Sequence, residues 1–261
     1  MFRSLTVPNY RRYFWGSFVS NIGVWMQRTA QVWVVMQLSD RNGVALGGVV
    51  AFLQFAPTLV FGLYAGLVGG DRFSRAKILL VTQCAISAVS AIMAVLDFAG
   101  LMSLPIMYVL AAIVGIVTAF DAPIRQTFVS DLVVDPEFIG NAVGLNSAAF
   151  NSARLIGPAV AGGLMVVTAT WTVFLLHVVA SLGIIASLYS IGRSVPPGGG
   201  RVPREKGQLR EGIRYVLSSR DLVGLLLIAG FISALGLNGI QVFIRSRRVS
   251  CSVAGPLHSA C

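Results

Sequence analysis

Residues 144–163 read GLNSAAFNSARLIGPAVAGG, a Gly-Pro pair and a run of small side chains inside an apolar segment. On a helical wheel of about 100° per residue, Gly144, Ser147, Pro158 and Gly162 fall within about 40° of Asn151. One face is therefore almost bare of bulk. Lipid offers no hydrophobic force between helices, so a bare face matters because it lets backbones approach and gain dispersion contacts. Pro158 removes one backbone donor and is expected to bend the segment. The stretch reads as a bent, closely packed transmembrane helix.

The rest of the chain supports that setting. Of 261 residues, 56% are hydrophobic and 11% charged, outside the range of ordinary soluble domains. Apolar runs long enough to cross a hydrocarbon core of about 30 Å lie near 13–38, 44–70, 77–98, 104–121, 138–168 and 171–192, and a seventh begins near 221 and fades around 243. The expected fold is an all-α membrane protein, a six-helix transmembrane bundle over 1–192 with a partial seventh helix over 221–243. No cleavable signal peptide is expected, because residues 1–12 are polar and basic and the first apolar run is too long for a signal core.

Between the two hydrophobic parts, 193–220 reads as a cytoplasmic basic linker. It opens on SVPPGGG, where Pro196, Pro197 and the glycines at 198–200 favour extended chain. Leu209, Ile213, Val216 and Leu217 then alternate with arginines, the pattern of a short amphipathic helix at a membrane surface. Residues 244–261, IRSRRVSCSVAGPLHSAC, break the pattern and read as an aberrant or disordered tail. Six helices, a basic loop and the start of a seventh form the layout of half a two-fold-repeated transporter. The expectation is a truncated or frameshifted reading of a longer gene, lacking a C-terminal half as its partner, in preference to a complete short protein.

A net charge of +10 would suggest nucleic acid in a soluble protein, but the placement of the charges points to topology. Arg3, Arg11 and Arg12 precede the first apolar run, Arg72, Arg75 and Lys77 follow the second, Arg125 follows the fourth, and seven arginines and lysines follow the sixth within 193–220. The alternate loops carry only Arg41. By the positive-inside rule the N-terminus is cytoplasmic, in a plasma or inner membrane. Cys84, Cys251 and Cys261 have no paired spacing, so neither a disulfide framework, a metal nor a cofactor is expected.

Arg28 in the first helix and Arg154 in the fifth lie deep in apolar segments, where a charge is costly and marks a functional-site hypothesis. Ser17, Ser20, Asn21, Gln27, Arg28 and Gln31 span an arc of about 120°, expected to face a water-filled cavity. On the fifth helix, Asn151 and Arg154 lie about 60° apart, beside the small face. For both arginines a structural hydrogen-bond anchor is the alternative to cavity lining. Asp97 lies at the outer end of the third helix, a peripheral place for proton coupling. His177 reads as a packed or lipid-edge histidine in preference to a proton relay.

The loop AGLVGGDRFSRAK at 65–77 resembles the signature loop of the major facilitator superfamily, with Gly66, Asp71, Arg72, Arg75 and Lys77 matching in type. Ser74 and Leu67 stand where glycine is usual. The resemblance implies that Asp71 pairs with neighbouring helix ends to hold one conformation closed, which the helix macrodipole would favour. Asp121, near Arg125, resembles a residue of the same gating network. Gly144, Gly157, Pro158 and Gly162, with Ala153 and Ala161 in place of glycines, are similar to the fifth-helix signature of proton-linked antiporters. FDAPIRQTFVSDLV at 120–133, NAVGLNSAAFNSARLIGP at 141–158 and LREGIRYVLSSRDL at 209–222 resemble the branch containing the enterobactin exporter and related drug exporters. The arginine of many drug antiporters' fourth helix is absent from 104–120.

The resemblance implies a secondary active transporter exporting a small amphipathic molecule, drug or siderophore by alternating access, with protons as the coupling ion and lipid as its surroundings. The alternative is a nontransporting remnant acting as a helix-bundle partner. No catalytic constellation or phosphate-cradling loop supports a membrane enzyme, and no nucleic-acid partner is expected.

Overall fold

The computed structural model describes residues 3–39, 43–68, 74–133 and 135–194, together with Ser218 and Gly224. A 3-10 turn, Arg3–Thr6, leads into six α-helices: α1 Pro8–Gln37, α2 Gly43–Val68, α3 Arg75–Phe98, α4 Leu104–Leu132, α5 Pro136–Val167 and α6 Trp171–Ser194. All six belong to a compact unit, Met1–Arg201. The described residues contain no strand. Most of 193–220, 221–243 and 244–261, where the sequence places a linker, a seventh helix and a tail, lies outside the described residues; Ser218 and Gly224 are helical.

Proline opens three helices, within the first two positions of α1, α4 and α5, where the missing N–H has no intrahelical partner to lose. Asp135 caps α5 by accepting from the Glu137 N–H at 3.0 Å. At the end of α3, the Gly100 N–H donates to the Asp97 carbonyl and the Leu101 N–H to the Leu96 carbonyl, a Schellman closure with Gly100 at φ 67°. Gly100→Ala is expected to cost about 1–2 kcal/mol, because a Cβ is strained in that conformation. Chemical denaturation in mixed micelles checks this, and unchanged stability would contradict the cap.

Two boundaries differ from the sequence expectation. α4 does not stop near 121 but runs on to Leu132, because Ile124, Phe128, Val129 and Leu132 carry a buried stripe past Pro123. Asp121 and Arg125 therefore lie within α4, not at its end. α1 begins at Pro8, so Arg11 and Arg12 belong to its exposed side while Tyr10, Tyr13 and Phe14 turn inward.

The apolar interior forms two clusters. One gathers Tyr10, Tyr13 and Phe14 of α1, Leu79 of α3, Ile124 to Leu132 of α4, Ala142 and Ala149 of α5, and Ile184 to Ile191 of α6. The other gathers Met26 to Val35 of α1, Val50 of α2, Val89 and Met93 of α3, Met107 to Val114 of α4, Ala161 of α5 and Phe174 of α6. The early parts of α1, α3 and α5 meet the late parts of α4 and α6, as an up-down antiparallel bundle requires. Buried polar residues lie between the clusters: Ser17, Ser20, Thr82, Gln83, Ser87, Ser90, Asp121, His177 and Ser181.

Glycines set the closest approaches. A Cβ at Gly115 of α4 would lie 2.5 Å from the Leu53 carbonyl oxygen and 2.9 Å from that of Gln54, so α2 and α4 touch backbone to backbone. A Cβ at Gly16 would lie 3.0 Å from the Gly183 oxygen, seating α1 on α6 in the same way. Among the described residues four helices are long and apolar enough to cross a membrane, Arg75–Phe98, Leu104–Leu132, Glu137–Val167 and Trp171–Gly192. α2 adds a shorter apolar stretch, Ala45–Thr58.

Candidate functional site

Asp121 is the most completely bonded charge among the described residues. Its Oδ2 accepts from Arg125 Nε at 2.9 Å, one helical turn along α4, and the Nη2 of the same guanidinium completes the ion pair at 2.9 Å. Its Oδ1 accepts from Thr82 Oγ1 at 2.6 Å and Gln83 Nε2 at 3.0 Å, both on α3. Three hydrogen bonds and the ion pair engage both oxygens of the carboxylate. Arg125 Nη1 reaches α1 and donates to Ser17 Oγ at 2.9 Å, while Ser20 Oγ donates to Gln83 Oε1 at 3.3 Å. A buried ion pair thus ties α1, α3 and α4 together at the edge of one apolar cluster.

The polar arc of α1 does not lie open as one water-facing surface. Ser17 and Ser20 belong to the ionic network, and Asn21, Gln27 and Gln31 are buried with them. Gln27 and Gln31 each direct an Nε2 at Met93 Sδ on α3, at 3.5 and 3.3 Å, and Gln31 Oε1 accepts from Gln54 Nε2 on α2. Spacing of three and four residues turns these side chains toward α2 and α3, so neighbouring helices supply their partners.

Arg28 is the arc residue that stays partly exposed. Its Cζ lies 5.0 Å from the Trp25 ring centroid and 4.8 Å from that of Phe55, and Arg154 Cζ lies 5.4 Å from the same Trp25 ring. The two deep arginines therefore meet at one indole. Among the described residues neither forms an ion pair, whereas Arg3, Arg75 and Arg125 each hold a carboxylate. Asn151, one turn before Arg154, is exposed and donates Nδ2 to the Ser147 carbonyl at 2.9 Å.

His177 is fully buried on α6, against Gly23, where a Cβ would come within 2.8 Å of imidazole Cδ2. Its Nδ1 lies 3.0 Å from Ser90 Oγ, and that hydroxyl donates to the Phe174 carbonyl at 3.1 Å. Ser90 therefore accepts from Nδ1–H, which fixes the tautomer. Ser90→Ala removes this acceptor and is expected to destabilise the fold by about 1 kcal/mol. Unfolding in mixed micelles measures it, and an unchanged midpoint would show the hydrogen bond to be idle.

The small-residue signature of α5 divides between two faces. Ala153, Gly157 and Ala161 are buried, and a Cβ on Gly157 would lie 2.5 Å from Trp25 Cβ and 2.9 Å from the Ile22 carbonyl oxygen. Gly144, Ser147 and Asn151 are exposed, and a Cβ at Gly144 or Gly162 would meet none of the described residues within 4 Å. This corrects the expectation from the wheel: close packing is carried by the 153–157–161 row, and the barer face with Pro158 and Gly162 is left uncovered by the described helices. α5 remains helical across Pro158.

At the loop, Asp71 and Arg72 lie outside the described residues, and Gly66 falls near the end of α2. Arg75 Nη1 donates to both carboxylate oxygens of Asp131 at 2.6 Å, joining the start of α3 to the end of α4. Lys77 is exposed. Two cations in the first turn of α3 oppose its macrodipole, and Asp131 offsets one of them. Asp131, Thr82, Gln83, Trp25 and Phe55 had no signal of their own in the sequence. Their roles come from pairing across helices, although the Asp121 and Arg125 spacing of four was visible.

An up-down helical bundle with long apolar helices and an internal ionic layer defines a multi-pass membrane protein. The chain belongs to the major facilitator superfamily, in the transmembrane secretion effector family, whose family model matches residues 2–243. It is 32% identical over 165 residues to the staphyloferrin A transporter of Staphylococcus aureus, covering 62% of this chain and 40% of that protein. It is 27% identical over 206 residues to macrolide efflux protein A of Streptococcus pyogenes, covering 76% and 49%. A macrolide efflux protein A of Enterococcus faecalis is 28% identical over 186 residues, covering 69% and 55%. The chain spans about half the length of the curated relatives it matches.

Proposed function

We propose that this chain forms a six-span half of a secondary exporter in the cell membrane, with its N-terminus cytoplasmic, and expels a small amphipathic molecule in exchange for protons. The observation that carries this reading is the family match running through all six helices. The relatives' names, a siderophore transporter and macrolide efflux proteins, supply the substrate classes to try first. The gathering of Arg3, Arg11, Arg12, Arg75 and Lys77 at one end of the bundle supports that orientation by the positive-inside rule. Transport, not catalysis, is the chemistry that this arrangement suits.

In the proposed cycle the loop charges Asp71 and Arg72, with Arg75 and Lys77, hold the cytoplasmic end closed, and the Asp121–Arg125 pair anchors α4 to α1 and α3 beneath them. The uncovered face of α5, with Gly144, Ser147, Asn151 and Gly162, is the surface to receive a C-terminal half.

Inverted membrane vesicles containing the 261-residue chain are expected to accumulate a labelled macrolide when acidified inside, and a protonophore should collapse the uptake. Uptake no greater than in vesicles without the chain would overturn autonomous export. Asp71→Asn should lower the initial rate about five- to tenfold with an unchanged yield in the membrane. An unchanged rate would remove the loop from gating.

A further inference from the structure

We propose that Arg28 and Arg154, brought together at Trp25, form a receptor for the carboxylate of an organic anion with an aromatic or other flat apolar body. The proposal deepens the export reading and rests on it for movement of the ligand, though not for its binding. Three observations converge on it. The guanidinium groups approach one indole at 5.0 and 5.4 Å from its centroid, although they come from different helices. Neither forms an ion pair among the described residues, in a bundle where the Asp121 carboxylate is already engaged by Arg125, Thr82 and Gln83. Arg28 Nε is buried with no hydrogen-bond partner.

The aromatic contacts hold the cations without satisfying them. A ring face attracts a guanidinium through its quadrupole but offers none of the in-plane acceptors that five N–H groups require. Two like charges at one ring also repel, so this cluster has a surplus of positive charge and of donors. A carboxylate is the complementary group, because its two oxygens match the planar fork of an arginine. Trp25, Phe55 and Phe150 set the rest of the ligand's character. Phe150 packs edge-on to Trp25 at 6.1 Å, and the three rings provide apolar walls beside the charged head. A neutral amide of the same shape would keep the stacking and lose the charge complementarity.

The test is equilibrium dialysis of the purified full chain in detergent micelles against 1-naphthoate and 1-naphthamide, with binding to empty micelles subtracted. Naphthoate is expected to bind about tenfold or more tightly than the amide. Arg28→Gln and Arg154→Gln should each lower naphthoate affinity about tenfold and leave the amide unchanged, with the size-exclusion profile preserved. If Arg28→Gln does not fold, the more peripheral Arg154→Gln carries the comparison. Equal affinity for the two probes, or naphthoate binding indifferent to both variants, overturns the proposal. Arginine-dependent naphthoate binding without uptake of any labelled compound into vesicles would sustain the receptor and remove the export reading. Uptake of neutral and anionic compounds alike, with no arginine dependence, would do the reverse.

Discussion

Asp121→Ala is expected to destabilise the folded chain by about 3–5 kcal/mol, one of the two largest effects of any single substitution considered. The deletion leaves Arg125, largely but not fully buried, beside Ser17 with its counter-ion gone, and it leaves Thr82 and Gln83 on α3 without their common acceptor. The cost arises less from lost attraction than from a charge left in a low-dielectric interior. A double variant, Asp121→Asn with Arg125→Gln, removes both charges while keeping polar groups of similar shape, and should recover most of the loss. Denaturation in mixed micelles, followed by circular dichroism, gives both values. Wild-type stability in Asp121→Ala, within about 0.5 kcal/mol, would mean that the pair holds nothing together.

Gly115→Leu is expected to act as strongly by a different route. A Cβ at this position already meets two carbonyl oxygens of α2 at 2.5 and 2.9 Å, and backbone cannot move aside as a flexible side chain can. α2 and α4 would have to separate along their contact, breaking the packing of Val50 and Gln54 against α4. Overpacking of ordinary cores costs about 1–3 kcal/mol, and a backbone-to-backbone site belongs at or above the top of that range. Gly144→Leu is the matched control, because none of the described residues lies within 4 Å of a Cβ there. Loss of a monodisperse species for Gly115→Leu, with retention for Gly144→Leu, is the expected pair of results. Equal tolerance of both would refute the close approach.

The comparison of these glycines shows where the sequence is informative and where it falls silent. Hydrophobic run length located the six described helices, four of which are long and apolar enough to cross a membrane. It misjudged the end of α4, where the stripe Ile124, Phe128, Val129 and Leu132 outlasts the apolar run and hides behind Asp121, Pro123 and Arg125. On α5 the wheel singled out the face of Gly144, Ser147, Pro158 and Gly162, whereas among the described residues the row that packs is Ala153, Gly157 and Ala161. Both faces are small; which is covered depends on where α1 passes, and only Gly157 against Trp25 and Ile22 settles that. The deep arginines were legible one at a time, as costly charges in apolar segments. Their meeting at one ring was not, because residues 28 and 154 are brought together by tertiary contact alone.

The division of the apolar interior into two clusters has a consequence for how substitutions combine. Met93 and Phe174 belong to one cluster, Phe128 and Leu188 to the other. Cavities made in different clusters should therefore add in free energy, while two in the same cluster should couple. Such a protein tolerates drift at one end without renegotiating the other.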